Sequence, residues 1–124
     1  MQIVLNGKVV PKKNSKNVFY KNGRMFVLPS TRFVEWHKNA EQQIKQLDEN
    51  VCFDSPCHVD IQFYHSDNRR RDSDNLLSSI FDLLVDTNVL SDDSTKIVKS
   101  FTVKNVKANE DKTVISIYKM EWLS

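Results

Sequence analysis

The strongest constraint on the fold is a change of hydrophobic period between positions 58 and 88. Val59, Ile61 and Phe63 alternate with polar residues, and this two-residue period predicts a strand covered on one face. Beyond a polar stretch, apolar residues recur at three- and four-residue steps as far as Thr87-Asn88, which predicts a helix with a broad apolar stripe. These residues are Leu76, Leu77, Ile80, Phe81, Leu83 and Leu84. A chain that carries both periods combines a sheet with helices.

Strand signals also open the chain. The short apolar runs at 2–5 and 8–10 predict an opening strand that bends at Gly7, whose backbone has access to positive φ. Further on, Asn22-Gly23 is a strong turn signal. It predicts a hairpin with a basic tip, whose strands lie at 18–20 and 25–28.

The remaining patterns complete an α+β fold. Apolar residues at helical spacing predict an amphipathic helix over 32–48. The β-branched runs 97–103 and 113–118 flank a polar stretch and predict a closing hairpin. Neither an internal repeat nor a flexible linker divides the sequence, so we expect a single domain over residues 1–124. The predicted architecture is a mixed β-sheet with two packed α-helices.

Composition narrows the class of protein. The 124 residues, 40% of them hydrophobic, are enough for one ordinary core. No run approaches the roughly 18 apolar residues of a bilayer span, and the N-terminus lacks a secretion signal, so we expect a soluble cytoplasmic protein with no membrane partner. The net charge of +2 does not identify a partner. We expect no small-molecule cofactor.

Acidic residues flank the second helix. Asp72 and Asp74 stand at its entrance, and Asp92-Asp93 follows its exit. Three carboxylates brought together would bind Mg²⁺ or Mn²⁺, but the sequence alone does not prove that they converge. The alternative roles are capping of the helix by the first pair and a solvated turn at the second pair.

Three segments in and around this helix form a specific pattern: Arg71-Asp72-Ser73-Asp74-Asn75-Leu76, Phe81-Asp82 and Leu90-Ser91-Asp92-Asp93. This pattern resembles the RusA family of Holliday junction resolvases. The N-terminal Val10-Pro11-Lys12-Lys13-Asn14-Ser15 also looks like that family's basic loop, and the order of elements agrees along nearly the whole chain.

The resemblance implies a site and an assembly. It implies that Asp72, Asp74 and Asp93 are catalytic and bind Mg²⁺, with Mn²⁺ as a possible substitute, and that Arg71 lies close to the scissile phosphate. It also implies a homodimer that cuts a four-way DNA junction symmetrically. We expect the three aspartates to form one cluster.

One position departs from the family pattern. Family members usually carry a lysine one helical turn after the Asp-Asn pair, and here that position is Ser78. Lys96 or Lys13 is a candidate substitute, and a weakened activity is the other interpretation.

Basic residues supply the expected DNA contacts. Point charges on loops bind phosphates without reading bases. The expected DNA-binding residues are Lys12, Lys13, Asn14, Lys16, Arg69, Arg70 and Arg71. Without the adjoining acids, an arginine run of this kind is usually only a solvated surface.

The predicted function is Mg²⁺-dependent, structure-specific cleavage of branched DNA in recombination or repair. Two alternatives stay open: a DNA-binding module that has lost catalysis, and a structural domain. The surplus apolar residues of the Leu76–Val85 helix are either the dimer interface or buried on two sides within one subunit.

Overall fold

The computed structural model of the protein describes residues 1–12, 16–47, 49 and 51–120. Two helices and six strands make up this part of the chain. They are β1 (Gln2–Asn6), β2 (Lys16–Lys21), β3 (Arg24–Pro29), α1 (Thr31–Lys45), β4 (Cys57–His65), α2 (Ser73–Asp86), β5 (Val98–Lys107) and β6 (Lys112–Lys119). One sheet contains four strands in the order β1-β6-β4-β5, and β2 pairs with β3 in a separate hairpin. The predicted α+β class, with a mixed sheet and two helices, is confirmed.

The prediction of a closing hairpin is wrong. β4 lies between β5 and β6, parallel to β5 and antiparallel to β6. The segment 108–111 crosses the end of β4, where the Ala108 N–H donates to the His65 carbonyl over 2.9 Å. The reason is burial: Cys57, Val59, Ile61 and Phe63 of β4 are at most 1% exposed. A strand so buried stabilises the sheet most with a neighbour on each side.

The opening strand is shorter than predicted. β1 ends at Asn6, and Gly7 turns the chain with a φ of 92°. Val9 and Val10 are buried, but they belong to no strand, so the prediction of a strand at 8–10 is wrong. Their side chains pack while their backbone follows a loop.

The first hairpin and the first helix form where the sequence placed them. Asn22 and Gly23 both have positive φ, which is the turn geometry that suits the twist of a two-residue hairpin. α1 begins one residue before the predicted start and ends three residues before the predicted end. Ser30 caps it, because its hydroxyl accepts a hydrogen bond from the Phe33 N–H over 3.1 Å.

α2 packs against the core on one face of the sheet, and its Phe81 ring contacts Phe101 of β5. Leu76, Ile80, Leu83 and Leu84 are buried in the core. Leu77, Phe81 and Val85 are partly buried against the same core, so much of the broad stripe is used within one chain. Within the described ranges, no helix has the length and apolar character to cross a bilayer.

Candidate active site

The entrance of α2 presents two carboxylates. Asp72 is the N-cap residue and has an extended backbone, but its side chain makes no capping hydrogen bond. Its main-chain carbonyl instead accepts from the N–H groups of Asn75 and Leu76, at 3.1 and 3.3 Å. Asp74 stands in the first turn, where the helix dipole favours an acid. Both aspartates are exposed, and the structure gives neither carboxylate a partner among the described residues. Capping therefore does not account for the Asp72 side chain.

The carboxylate of Asp67 accepts several hydrogen bonds and so orders the loop before this entrance. It accepts two hydrogen bonds from the Arg71 guanidinium, at 2.7 and 2.9 Å. It also accepts from Lys8 Nζ and from the Arg69 N–H, each at 3.0 Å. The paired Arg71 guanidinium, followed by the Arg69 N–H and Lys8, holds the pKa of Asp67 far below its usual range. The charge of Arg71 is therefore largely compensated, and its guanidinium is held in place.

A second carboxylate fixes the start of the same loop. Asp111 accepts hydrogen bonds from the N–H and the hydroxyl of Ser66, both at 2.9 Å. These bonds hold the pKa of Asp111 below its usual range. Sequence reasoning missed both Asp67 and Asp111, and the only signal for Asp67 was an acid just ahead of the arginine run.

A basic cleft opens beside Asp72. It has a volume of about 390 Å³ and is lined on its charged side by Lys8, Arg32, Arg69, Arg70, Arg71 and Asp72. The structure thus brings the predicted arginine run next to one of the predicted catalytic acids. Arg32 reaches the cleft from α1, far away in sequence, and was not predicted.

Hydrogen bonds join the basic N-terminal loop to α2. Ser79 is fully buried, and its hydroxyl donates to the Val10 carbonyl over 2.9 Å and accepts from the Lys12 N–H over 3.1 Å. Lys12 Nζ lies 3.5 Å from a carboxylate oxygen of Asp82 and over the ring of Phe33. The predicted residues Lys13 and Asn14 lie outside the described residues, and Lys16 opens β2 opposite Pro29.

The other predicted ligand lies past the far end of α2. The loop after the helix is pinned where the Phe53 N–H donates to the Val89 carbonyl and the Ser91 N–H donates to the Phe53 carbonyl, at 2.7 and 3.0 Å. Asp93 is exposed, and its N–H donates to a carboxylate oxygen of Asp92 over 2.9 Å. Hydrogen bonds from the Ser94 side chain and the Asp93 N–H hold the pKa of Asp92 below its usual range.

The helix length separates the predicted ligands. α2 contains 14 residues and is therefore about 21 Å long, with Asp72 and Asp74 at one end and Asp93 past the other. Lys96 belongs to the same loop as Asp93, between α2 and β5. Among the residues that the structure describes, no three His, Cys, Asp or Glu side chains stand close enough together to hold a metal ion. The expected cluster of three aspartates does not form within one chain.

Comparisons with known proteins agree with the sequence pattern. A family model described as "Endodeoxyribonuclease RusA" matches residues 6–118. A protein named "Crossover junction endodeoxyribonuclease RusA" from Aquifex aeolicus (strain VF5) is 27% identical over 117 residues, which cover 94% of this chain and 90% of that relative.

Proposed function

Because this chain belongs to the RusA family of endodeoxyribonucleases, we propose that it resolves Holliday junctions by metal-dependent hydrolysis of phosphodiester bonds, in DNA recombination and repair. One observation carries the proposal further: Asp72 and Asp74, two carboxylates without partners among the described residues, stand at the entrance of α2, and Asp72 lines a cleft that arginines also line. Acidic residues alone repel DNA, and a neighbouring basic surface offsets that repulsion. The proposed site of action is the cytoplasm.

The proposed metal is Mg²⁺, with Mn²⁺ as a substitute, and the proposed catalytic ligands are Asp72, Asp74 and Asp93. Carboxylate oxygens are the donors that these hard cations prefer. A single chain does not fit the full set, because Asp93 lies beyond the opposite end of α2. When bound, such a cation polarises a phosphodiester and lowers the pKa of the attacking water.

A homodimer would supply the missing carboxylate. A two-fold axis perpendicular to α2, near its middle, sets two copies of the helix antiparallel. The α2 entrance of one protomer then faces the loop after α2 of its partner. Asp72 and Asp74 would meet Asp93 of the partner subunit, and two such sites would form, one for each strand of a paired cut.

Apolar surface supports this axis. Leu77, Phe81 and Val85 recur every four residues along one side of α2 and are only partly buried. Phe81 contacts Phe101 of β5, with ring centroids 5.7 Å apart, and Phe101 is 50% exposed. β5 is also an edge strand of the sheet. An apolar strip beside a sheet edge is typical of a surface that a second copy covers.

The basic residues have separate tasks in this proposal. Arg69 and Arg70 bind DNA phosphates in the cleft, and Lys12 extends the basic surface along α2. Arg71, oriented by Asp67, lies beside the scissile phosphate. Lys96 stands near Asp93, so it would reach the composite site together with that residue and replace the family lysine that is Ser78 here.

The test is cleavage of a synthetic four-way junction and of a matched linear duplex, with and without Mg²⁺. We expect paired cuts in the junction only, and only with the metal. Asp74→Asn should abolish cleavage and leave junction binding intact, because it removes a ligand charge and keeps the basic surface. Equal loss of binding and cleavage would instead give Asp74 a structural role.

A second candidate function follows from Ser78. If the missing lysine abolishes catalysis, the protein binds junctions without cutting them. Salt-dependent junction binding with no cleavage under Mg²⁺ or Mn²⁺ would favour this function.

A further inference from the structure

Arg32 has a position that nothing in its own neighbourhood explains. It is exposed in the first turn of α1, where the helix dipole disfavours a cation, and that turn contains no acid. Within the described part of the chain, its guanidinium has no ion pair and no hydrogen bond with protein. Its backbone is nevertheless well placed, because Ser30 caps the helix. Among the residues that the structure describes, Arg32 is therefore a cation without a partner, and the capped helix places it at the wall of the basic cleft.

The charges of the cleft do not balance. Lys8 and Arg71 share the Asp67 carboxylate at 3.0 Å or less, and Asp111 also interacts electrostatically with both, so two acids offset these two cations. The guanidinium groups of Arg32 and Arg70 have no acidic partner among the described residues, and neither does that of Arg69. The one acid in the lining is Asp72. The cleft therefore carries an excess of positive charge from three arginines on two separate elements.

The size and lining of the cleft indicate the class of ligand. Its volume of about 390 Å³ is more than a single phosphate group needs, and Val9, Pro11 and Leu76 give it an apolar side. Arginines present several N–H donors in a plane, which suits the oxygens of a phosphodiester. A short stretch of sugar-phosphate backbone meets both requirements, with phosphates on the arginines and sugars against the apolar side.

We propose that Arg32 binds a backbone phosphate of the DNA strand whose cleaved bond lies at the Asp72 site. The inference rests on the proposed function and adds α1 to the DNA interface. Arg32 holds the strand from α1, and the pair Arg69 and Arg70 holds it from the loop before α2. The contact fixes how the strand enters the active site and reads no base.

The first experiment measures junction binding by fluorescence anisotropy, with a chelator present so that no cleavage occurs. Arg32→Gln should weaken binding about tenfold and reduce the slope of log K against log[salt] by about 0.9, the effect of one lost phosphate contact. Arg32→Lys should keep the slope, because it keeps the charge. The control is Lys45→Gln on the last turn of α1, about 20 Å away, which should behave as the wild type.

The second experiment locates the phosphate. Junctions that carry one neutral methylphosphonate are scanned across the positions beside the cut. At the phosphate that Arg32 contacts, the substitution should weaken the wild type and should not weaken Arg32→Gln further, since the two changes remove the same interaction. Arg32→Gln and Arg32→Lys should both keep the urea unfolding midpoint of the wild type.

The outcomes separate the two proposals. A wild type that binds and cuts junctions, with an Arg32→Gln variant of equal affinity and slope, overturns the role of Arg32 alone. The role of Arg32 is also overturned if, at every position, the methylphosphonate weakens binding by Arg32→Gln as much as it weakens binding by the wild type. A wild type that neither binds nor cuts a four-way junction contradicts the proposed function itself, and the role of Arg32 fails with it.

Discussion

Ser79→Ala tests whether α2 holds the basic N-terminal loop. The hydroxyl of Ser79 makes two hydrogen bonds to the loop, to Val10 and Lys12, and it is fully buried. Two such bonds contribute about 2 kcal/mol, and the loss of a partner for the buried Val10 carbonyl adds to the cost. We therefore expect the free energy of unfolding to fall by about 2.5 kcal/mol. At about 2.1 cal/mol/K per residue, this chain of 124 residues should lose about 10 °C in Tm.

Urea and thermal unfolding measure this change, and Ser78→Ala is the matched control. Ser78 is the neighbouring residue on the same helix, is only half-buried, and has no hydrogen bond from its side chain among the described residues. Its substitution should change the free energy of unfolding by less than about 0.5 kcal/mol. Hydrogen exchange of the Lys12 amide should accelerate in Ser79→Ala alone. Equal stabilities of the two variants, or unchanged exchange at Lys12, would refute the reasoning.

Three further perturbations test other parts of the account. Because the pKa of Asp67 is lowered in the folded state, the stabilising effect of its charge is present above the ordinary carboxyl pKa and is lost as the pH falls below that value. The difference in free energy of unfolding between wild type and Asp67→Asn, measured in urea, should therefore be constant near neutrality and narrow below about pH 4. A difference that widens in acid would contradict this role of Asp67. Phe101→Asp, at an exposed position of β5, should convert a dimer of about twice 14.5 kDa into a monomer in light scattering and abolish paired cutting; a persistent dimer would move the interface elsewhere. Replacing both Lys12 and Lys13 by Ala should reduce the salt slope of junction binding by about two, and an unchanged slope would exclude that loop from the interface.

Local patterns in the sequence predicted most of the elements. β4 and α2 follow from periods of two and of three to four residues, since one element's own side chains decide which face is buried. The Asn22-Gly23 turn is equally local. The closing hairpin failed because its strands are neighbours in sequence but not in the sheet, and only the burial of β4 on one full face decides that it lies between them.

The site was less predictable than the fold, and distance along the chain is the reason. The acids at the α2 entrance and the arginine run are adjacent in sequence, so the pattern indicated both. Arg32 lines the cleft beside segments many positions away, and Ser79 makes hydrogen bonds to a loop equally distant in sequence. Neither residue stands in a motif. The length of α2 also shows what spacing alone hides: a rigid helix separates Asp74 from Asp93.

The most direct test of the central claim is subunit mixing. Asp74→Asn and Asp93→Asn proteins should each be inactive alone. If each site combines Asp72 and Asp74 of one protomer with Asp93 of the partner subunit, a mixed dimer contains one doubly damaged site and one intact site. Cleavage should therefore return on mixing, as nicks in one strand, in the presence of Mg²⁺. A mixture that exchanges subunits and stays inactive would contradict the composite site.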